Sequence, residues 1–163
     1  LQHRETFPTF WKWSQSNVDR AMLTGQIQTV FGWTIHTLGD DNPRSLANFP
    51  MQANGAEMLR LACCMATEEG IRVCCPVHDA LLIEGEAERI GETVGRVQAI
   101  MAEASRIVLD GFTLESDAKI VCCPDRYQDE DRGLTMWNRV LKLANEALER
   151  SRAMAPQNAT VAI

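Results

Sequence analysis

Residues 71–85 read IRVCCPVHDALLIEG, and this stretch decides the fold. Two short runs rich in apolar and β-branched residues flank His78 and Asp79, a pattern typical of two strands joined by a tight turn. We therefore predict a β-hairpin with these two residues at its tip. A carboxylate buried beside so much apolar surface needs a cation or hydrogen bonds to compensate. Asp79 is thus the first candidate metal ligand.

The sequence around the hairpin predicts an α+β fold. A first helical pattern ends at Gly25, a residue type that commonly stops a helix. A first hairpin follows, and it turns at Gly32. Proline is tolerated mainly at a helix start, so Pro50 indicates that the second helix begins near Phe49. We expect an antiparallel sheet, with the His-Asp hairpin at its centre, packed against several helices. The predicted helices are 7–24, about 49–69 within a helical pattern that starts at 44, 86–109 and 133–152. The further predicted strands are 27–31, 33–36 and one within 112–123, with residues 118–123 as its core.

Composition limits the function classes. The chain has 163 residues and a formal charge of −6, which argues against a self-sufficient nucleic-acid binder with a basic surface. No apolar run is long enough to span a bilayer and no secretory signal is visible, so we expect a cytoplasmic protein without a membrane partner. The chain opens at Leu1 directly into a helical pattern, which suggests a segment of a longer protein.

The six cysteines form three adjacent pairs without any Cys-x-x-Cys spacing, so the usual zinc-ribbon signal is absent. Adjacent residues of a strand point to opposite faces, so such a pair is poorly placed to share one metal ion. We interpret the cysteines as reduced thiols that serve as small buried hydrophobic residues in a cytosolic protein. The pairs are Cys63-Cys64, Cys74-Cys75 and Cys122-Cys123.

Asp79 by itself makes only half of a metal site. Two-metal phosphoryl or nucleotidyl transfer needs carboxylates from more than one element. Ala80 supplies none, and Glu84 lies too far along the return strand to help. The carboxylate that completes the site must therefore come from elsewhere.

A second group of polar residues lies upstream. Arg44, Asn48 and Gln52 are four residues apart, so a helix would place them on one face. Their side chains suit the sugar oxygens and shared acceptors of a DNA minor groove. The same spacing also fits an ordinary solvent-exposed helix face, and the spacing alone leaves both interpretations open.

These motifs resemble the C-terminal palm region of A-family DNA polymerases. Residues 44–52, RSLANFPMQ, match that family's Arg-x3-Asn-x-Pro-Met-Gln segment, and a long helix then leads to Val77-His78-Asp79, which matches its Val-His-Asp-Glu hairpin. The flanking residues 7–11, 124–127 and 136–137 resemble a phage- or plasmid-like branch. The resemblance covers nearly the whole chain and implies a location in a bacterial or phage-infected cell.

The resemblance implies a role for each matching residue. Asp79 would be one of two aspartates that bind Mg²⁺, and His78 would contact the terminal nucleotide of the primer. Arg44, Asn48 and Gln52 would hold template and primer through the minor groove. The implied partners are a DNA primer-template and deoxynucleoside triphosphates.

Two departures from the family limit what the chain does alone. Ala80 stands where the family has an accessory Glu, and neither the strand with the first metal aspartate nor the nucleotide-binding fingers helix appears. We therefore expect residues 1–152 to be the C-terminal palm part of a DNA-directed DNA polymerase, followed by a flexible tail at 153–163. Activity would need an upstream segment or partner chain, and the isolated chain would be inactive. The alternative is a non-catalytic palm-like module that binds nucleic acid or assists replication.

Overall fold

The computed structural model describes residues 2–37, 41–129 and 131–154. It divides into two compact units, Leu1–Lys119 and Ile120–Ile163. Helices and antiparallel strands are mixed along the chain, which confirms the predicted α+β class. None of the described helices is long and apolar enough to cross a membrane. The elements are α1 (Gln2–Thr6), α2 (Pro8–Thr24), β1 (Gln26–Gln28), β2 (Thr34–His36), α3 (Pro43–Glu68), β3 (Arg72–Val77), β4 (Ala80–Glu84), α4 (Ile90–Val108) and, in the second unit, α5 (Leu134–Met154).

The first core joins α2, β1 and the start of α3. Gly25 ends α2 in the left-handed conformation at φ 70°, which glycine adopts without steric penalty. The chain then enters β1, which pairs antiparallel with β2. This core is small, and its fully buried members are Val18, Ala21, Ile27 and Leu46.

The second core joins the later half of α3 to the second hairpin and α4. One face of α4 carries apolar residues that pack into this core, because residues three and four apart share a helix face. Half-buried side chains of both hairpin strands pack against it. Helix α3 therefore contributes to both cores of the first unit. The buried members of the second core are Ala62, Ala66, Ile71, Val97, Ile100 and Ala104.

Helix α3 begins earlier than predicted. The Oδ1 atom of Asn42 accepts a hydrogen bond from the backbone N–H of Arg44 at 2.9 Å, and Pro43 occupies the first turn. Pro50 lies buried inside the helix, and the Nδ2 atom of Asn54 donates to the Pro50 carbonyl at 2.7 Å. The expected start near Phe49 is wrong, because a good N-cap lies upstream and the proline is accommodated within the helix.

The strand predicted at 112–123 is absent. Side chains of α4 hold the segment instead: Ser105 Oγ accepts from the N–H of Leu114 at 2.9 Å, and Gln98 Nε2 donates to the carbonyl of Ser116 at 2.5 Å. A strand must pair with a neighbour, and residues 112–123 pair with neither of the two separate hairpins that the described strands form. Within the predicted tail, Ala153 and Met154 end α5, and residues 155–163 lie outside the described residues.

Candidate nucleic-acid and metal-binding cleft

The predicted His-Asp hairpin is present. Val77 pairs with Ala80, which leaves His78 and Asp79 as a two-residue loop between β3 and β4. His78 has φ 60°, in the left-handed region that most side chains avoid. Backbone in this region is found preferentially in tight turns and at functional sites. The turn therefore holds two polar side chains at a fixed position at the end of the hairpin.

Asp79 is exposed, so the expected burial of its carboxylate is wrong. The hairpin strands are mostly solvent-accessible, and only Val73, Leu81 and Ile83 are half-buried against the core. The desolvation argument for a bound cation therefore does not apply. An exposed carboxylate is nevertheless accessible to Mg²⁺, which usually keeps several of its waters and binds through one or two carboxylates.

The hairpin tip lines a cleft of about 800 Å³, within the range usual for ligand sites. The rest of its lining comes from residues of α3 between Met51 and Ala62, from parts of α4 and from the segment after it. His78, Asp79 and Gln52 all line this cleft. The structure thus brings together three residues that lie up to 27 positions apart in the chain.

The other two predicted groove residues lie outside the cleft. Arg44 and Asn48 are exposed on α3, two turns and one turn before Gln52. Because α3 is continuous from Pro43, their four-residue spacing does place all three on one side of the helix. Only Gln52 reaches the cleft itself.

Sequence reasoning missed two acidic residues in the cleft. Glu115 and Asp117 line it together with Ser116, whose buried Oγ atom has no hydrogen-bond partner. The available signal was the alternation of acids in residues 112–117, FTLESD, within a segment that otherwise resembles a strand. These carboxylates make the cleft more negative, which disfavours bound phosphate unless a cation accompanies it.

The described residues do not contain a complete metal site. In the part of the chain that the structure covers, no three His, Cys, Asp or Glu side chains are close enough together to hold one ion. Among these residues, Asp79 is an exposed carboxylate without two further ligands of these types close by.

The opposite side of α3 carries a second polar cluster that the sequence did not indicate. Glu57 is 1% exposed, accepts a hydrogen bond from Thr29 Oγ1 at 2.8 Å and forms an ion pair with Arg60. One turn earlier, Asn54 Oδ1 accepts from the N–H of Val30 at 2.9 Å. These two contacts attach the turn of the first hairpin to the helix that carries Gln52.

Comparison with known proteins supports the fold. The chain is similar to the POL domain of Pol1 from M. smegmatis, solved in complex with DNA primer-template and dNTP, with a TM-score of 0.55 and 24% sequence identity. The match covers 63% of this chain and 21% of that one, so the chain spans about a fifth of its structural neighbour. No protein-family model and no curated protein matches. At this identity, the comparison establishes a polymerase-like α+β fold.

Proposed function

We propose that this chain is the C-terminal palm part of an A-family DNA polymerase, of the phage- or plasmid-like branch. The observation that carries the proposal is the single cleft lined by Gln52, His78 and Asp79 within a polymerase-like fold. Its proposed role is to supply one metal-binding aspartate and minor-groove contacts for magnesium-dependent nucleotidyl transfer. Residues 1–152 would form this part.

Asp79 would be one of the ligands that hold Mg²⁺. Its carboxylate is exposed at the cleft, which fits a hydrated divalent ion, and its position on a tight hairpin fixes it relative to α3. The bound metal would neutralise phosphate charge and make the primer 3′-hydroxyl a better nucleophile. His78 would orient the terminal primer nucleotide from the neighbouring position in the turn.

Arg44, Asn48 and Gln52 would track the minor groove along α3. A helix rises 1.5 Å per residue, so this row of side chains spans about 12 Å, or roughly three base-pair steps at 3.4 Å each. Gln52 is at the cleft end of the row. Contacts to shared minor-groove acceptors sense base-pair shape and not sequence, which suits a copying enzyme.

The remaining parts would come from an upstream polymerase segment or subunit. That partner would provide the second metal aspartate and the elements that bind the deoxynucleoside triphosphate. Two observations support this requirement: the metal ligands among the described residues are incomplete, and the chain spans about a fifth of the structural neighbour.

Primer extension by the completed enzyme tests the proposal. Asp79→Ala should lower turnover at least about a hundredfold, by analogy with the loss of one strong electrostatic stabiliser. Asp19→Ala is the matched control, because Asp19 is an exposed carboxylate on α2 that does not line the cleft, and it should leave turnover unchanged. Equal extension by the two variants would contradict the assignment of Asp79.

Ala80, which stands where the resembled family has an accessory Glu, favours a second candidate, a non-catalytic palm-like module that binds nucleic acid or assists replication. Titration with a duplex primer-template separates the two functions. A module that only binds should show salt-sensitive affinity with little dependence on Mg²⁺. A polymerase part should bind more tightly when Mg²⁺, the upstream segment and a deoxynucleoside triphosphate are all present.

A further inference from the structure

Two adjacent cysteines lie on the strand that leads to Asp79. Cys74 and Cys75 are both exposed free thiols, so the expectation that the cysteines are buried is wrong for this pair. In a regular strand they would face opposite sides of the sheet, which is the reason that the sequence argued against a shared ligand. That reason does not hold here, because β3 is irregular at this point.

The pairing of β3 with β4 shifts between Val73 and Cys75. Val73 lies opposite Ile83 and Cys75 lies opposite Leu82, the adjacent residue of β4, so Cys74 is the extra residue of a β-bulge. Directly opposed residues share a face of the hairpin. Val73 and Ile83 pack against the core, whereas Leu82 is 53% exposed. The bulge therefore turns Cys75 to the solvent face, beside a neighbour that is also exposed.

We propose that Cys74 and Cys75 form a chelating site for one soft, thiol-seeking ion, with trivalent arsenic as the class that fits best. A zinc site normally takes four protein ligands, and among the described residues no third His, Cys, Asp or Glu joins this pair. A singly substituted trivalent arsenical needs only two thiols. Soft thiolate ligands select such ions over hard cations such as Mg²⁺.

A chelate fits this pair better than a disulfide does. Consecutive Cα atoms are about 3.8 Å apart across a trans peptide, which is shorter than the span of about 4.4 Å that a disulfide usually requires. An arsenic atom between the two sulfurs relaxes this restriction. With phenylarsine oxide, both thiols lose their protons to the oxide oxygen, two As–S bonds replace the As–O bond, and one water leaves without any transfer of electrons.

The other two cysteine pairs are less suited to chelation. Cys63 is half-buried on α3, and burial, together with the neighbouring Cys64, raises the pKa of its thiol, which lowers the fraction of reactive thiolate. Cys122 and Cys123 are exposed but lie outside any helix or strand, so strand pairing does not fix their backbone as it does at the bulge. The first equivalent of arsenical should therefore bind at the bulge.

Native mass spectrometry of the reduced chain with one equivalent of phenylarsine oxide tests the site. The wild type should take up one arsenical, and Cys74→Ser or Cys75→Ser should each weaken binding at least about tenfold, because a single thiol cannot chelate. The double variants Cys63→Ser/Cys64→Ser and Cys122→Ser/Cys123→Ser are the matched controls and should keep the wild-type affinity. Retention of tight binding in Cys74→Ser, or its loss in the Cys122/Cys123 variant, would overturn the proposal.

Alkylation of the wild type gives a second test that needs no variant. After one equivalent of arsenical, iodoacetamide should modify the other exposed cysteines and leave Cys74 and Cys75 protected, as peptide mapping would show. Modification of Cys74 or Cys75 as fast as in the untreated protein would reject the site. Neither test depends on polymerase activity, so the outcome is independent of the proposed function.

Discussion

At the scale of single residues, the turn at His78 combines a strained backbone with a proposed role in binding. A side chain at φ 60° costs about 1–2 kcal/mol relative to glycine, and a β-branched side chain fits worst there. The sequence predicted which residues occupy the turn. It did not reveal the exposure of Asp79, because exposure depends on which faces of the hairpin the helices cover.

Substitutions at His78 separate the effect of backbone strain on stability from the role of the imidazole in primer extension. His78→Gly should unfold at a urea concentration at or above that of the wild type, whereas His78→Val should be less stable than the glycine variant by about 1–2 kcal/mol. Both variants should impair primer extension by the completed enzyme, since both remove the imidazole. Equal stability of the two variants would show that the left-handed turn is not a source of strain.

At the scale of elements, two faces of α3 make different contacts. One face contributes Gln52 to the cleft, and the other binds the first hairpin through Asn54 and Glu57. Thr29 is central to this second face, because its Oγ1 atom donates to Glu57 and accepts from the N–H of Trp33 at 3.0 Å. The helix itself was predictable from its periodicity. The buried Glu57 was not, since an acid in a helix usually faces solvent and its partner lies 28 residues away.

Removal of the Thr29 hydroxyl tests this attachment. Thr29→Val leaves a buried carboxylate without one of its hydrogen bonds and should lower the free energy of unfolding by about 2 kcal/mol. Thr29→Ser keeps the hydroxyl, so its free energy of unfolding should fall much less. Thr34→Val removes a hydroxyl whose hydrogen bond to the Gly32 carbonyl is solvent-exposed, so its free energy of unfolding in urea should stay close to that of the wild type. A fall in the free energy of unfolding of Thr34→Val as large as that of Thr29→Val would contradict the account.

At the scale of the whole molecule, pairing between distant segments decides what local sequence leaves open. Residues 112–123 have the composition of a strand, yet they pair with neither of the two described hairpins. Strand propensity can be read from sequence, but pairing depends on a partner that a single segment does not specify. The sequence motifs singled out Gln52, His78 and Asp79 individually, and the structure places all three at one cleft, whereas Glu115 and Asp117 became apparent as lining residues only in three dimensions.

Iron-mediated cleavage of the assembled protein tests the central claim, that Asp79 binds the divalent metal at this cleft. Fe²⁺ replaces Mg²⁺ and, with ascorbate and peroxide, cuts the backbone near its binding site. With primer-template, a deoxynucleoside triphosphate and the upstream segment present, we expect cleavage next to residues 78–80. Excess Mg²⁺ or the variant Asp79→Asn should abolish these cuts. Cleavage confined to other parts of the chain, or unchanged in Asp79→Asn, would contradict the account.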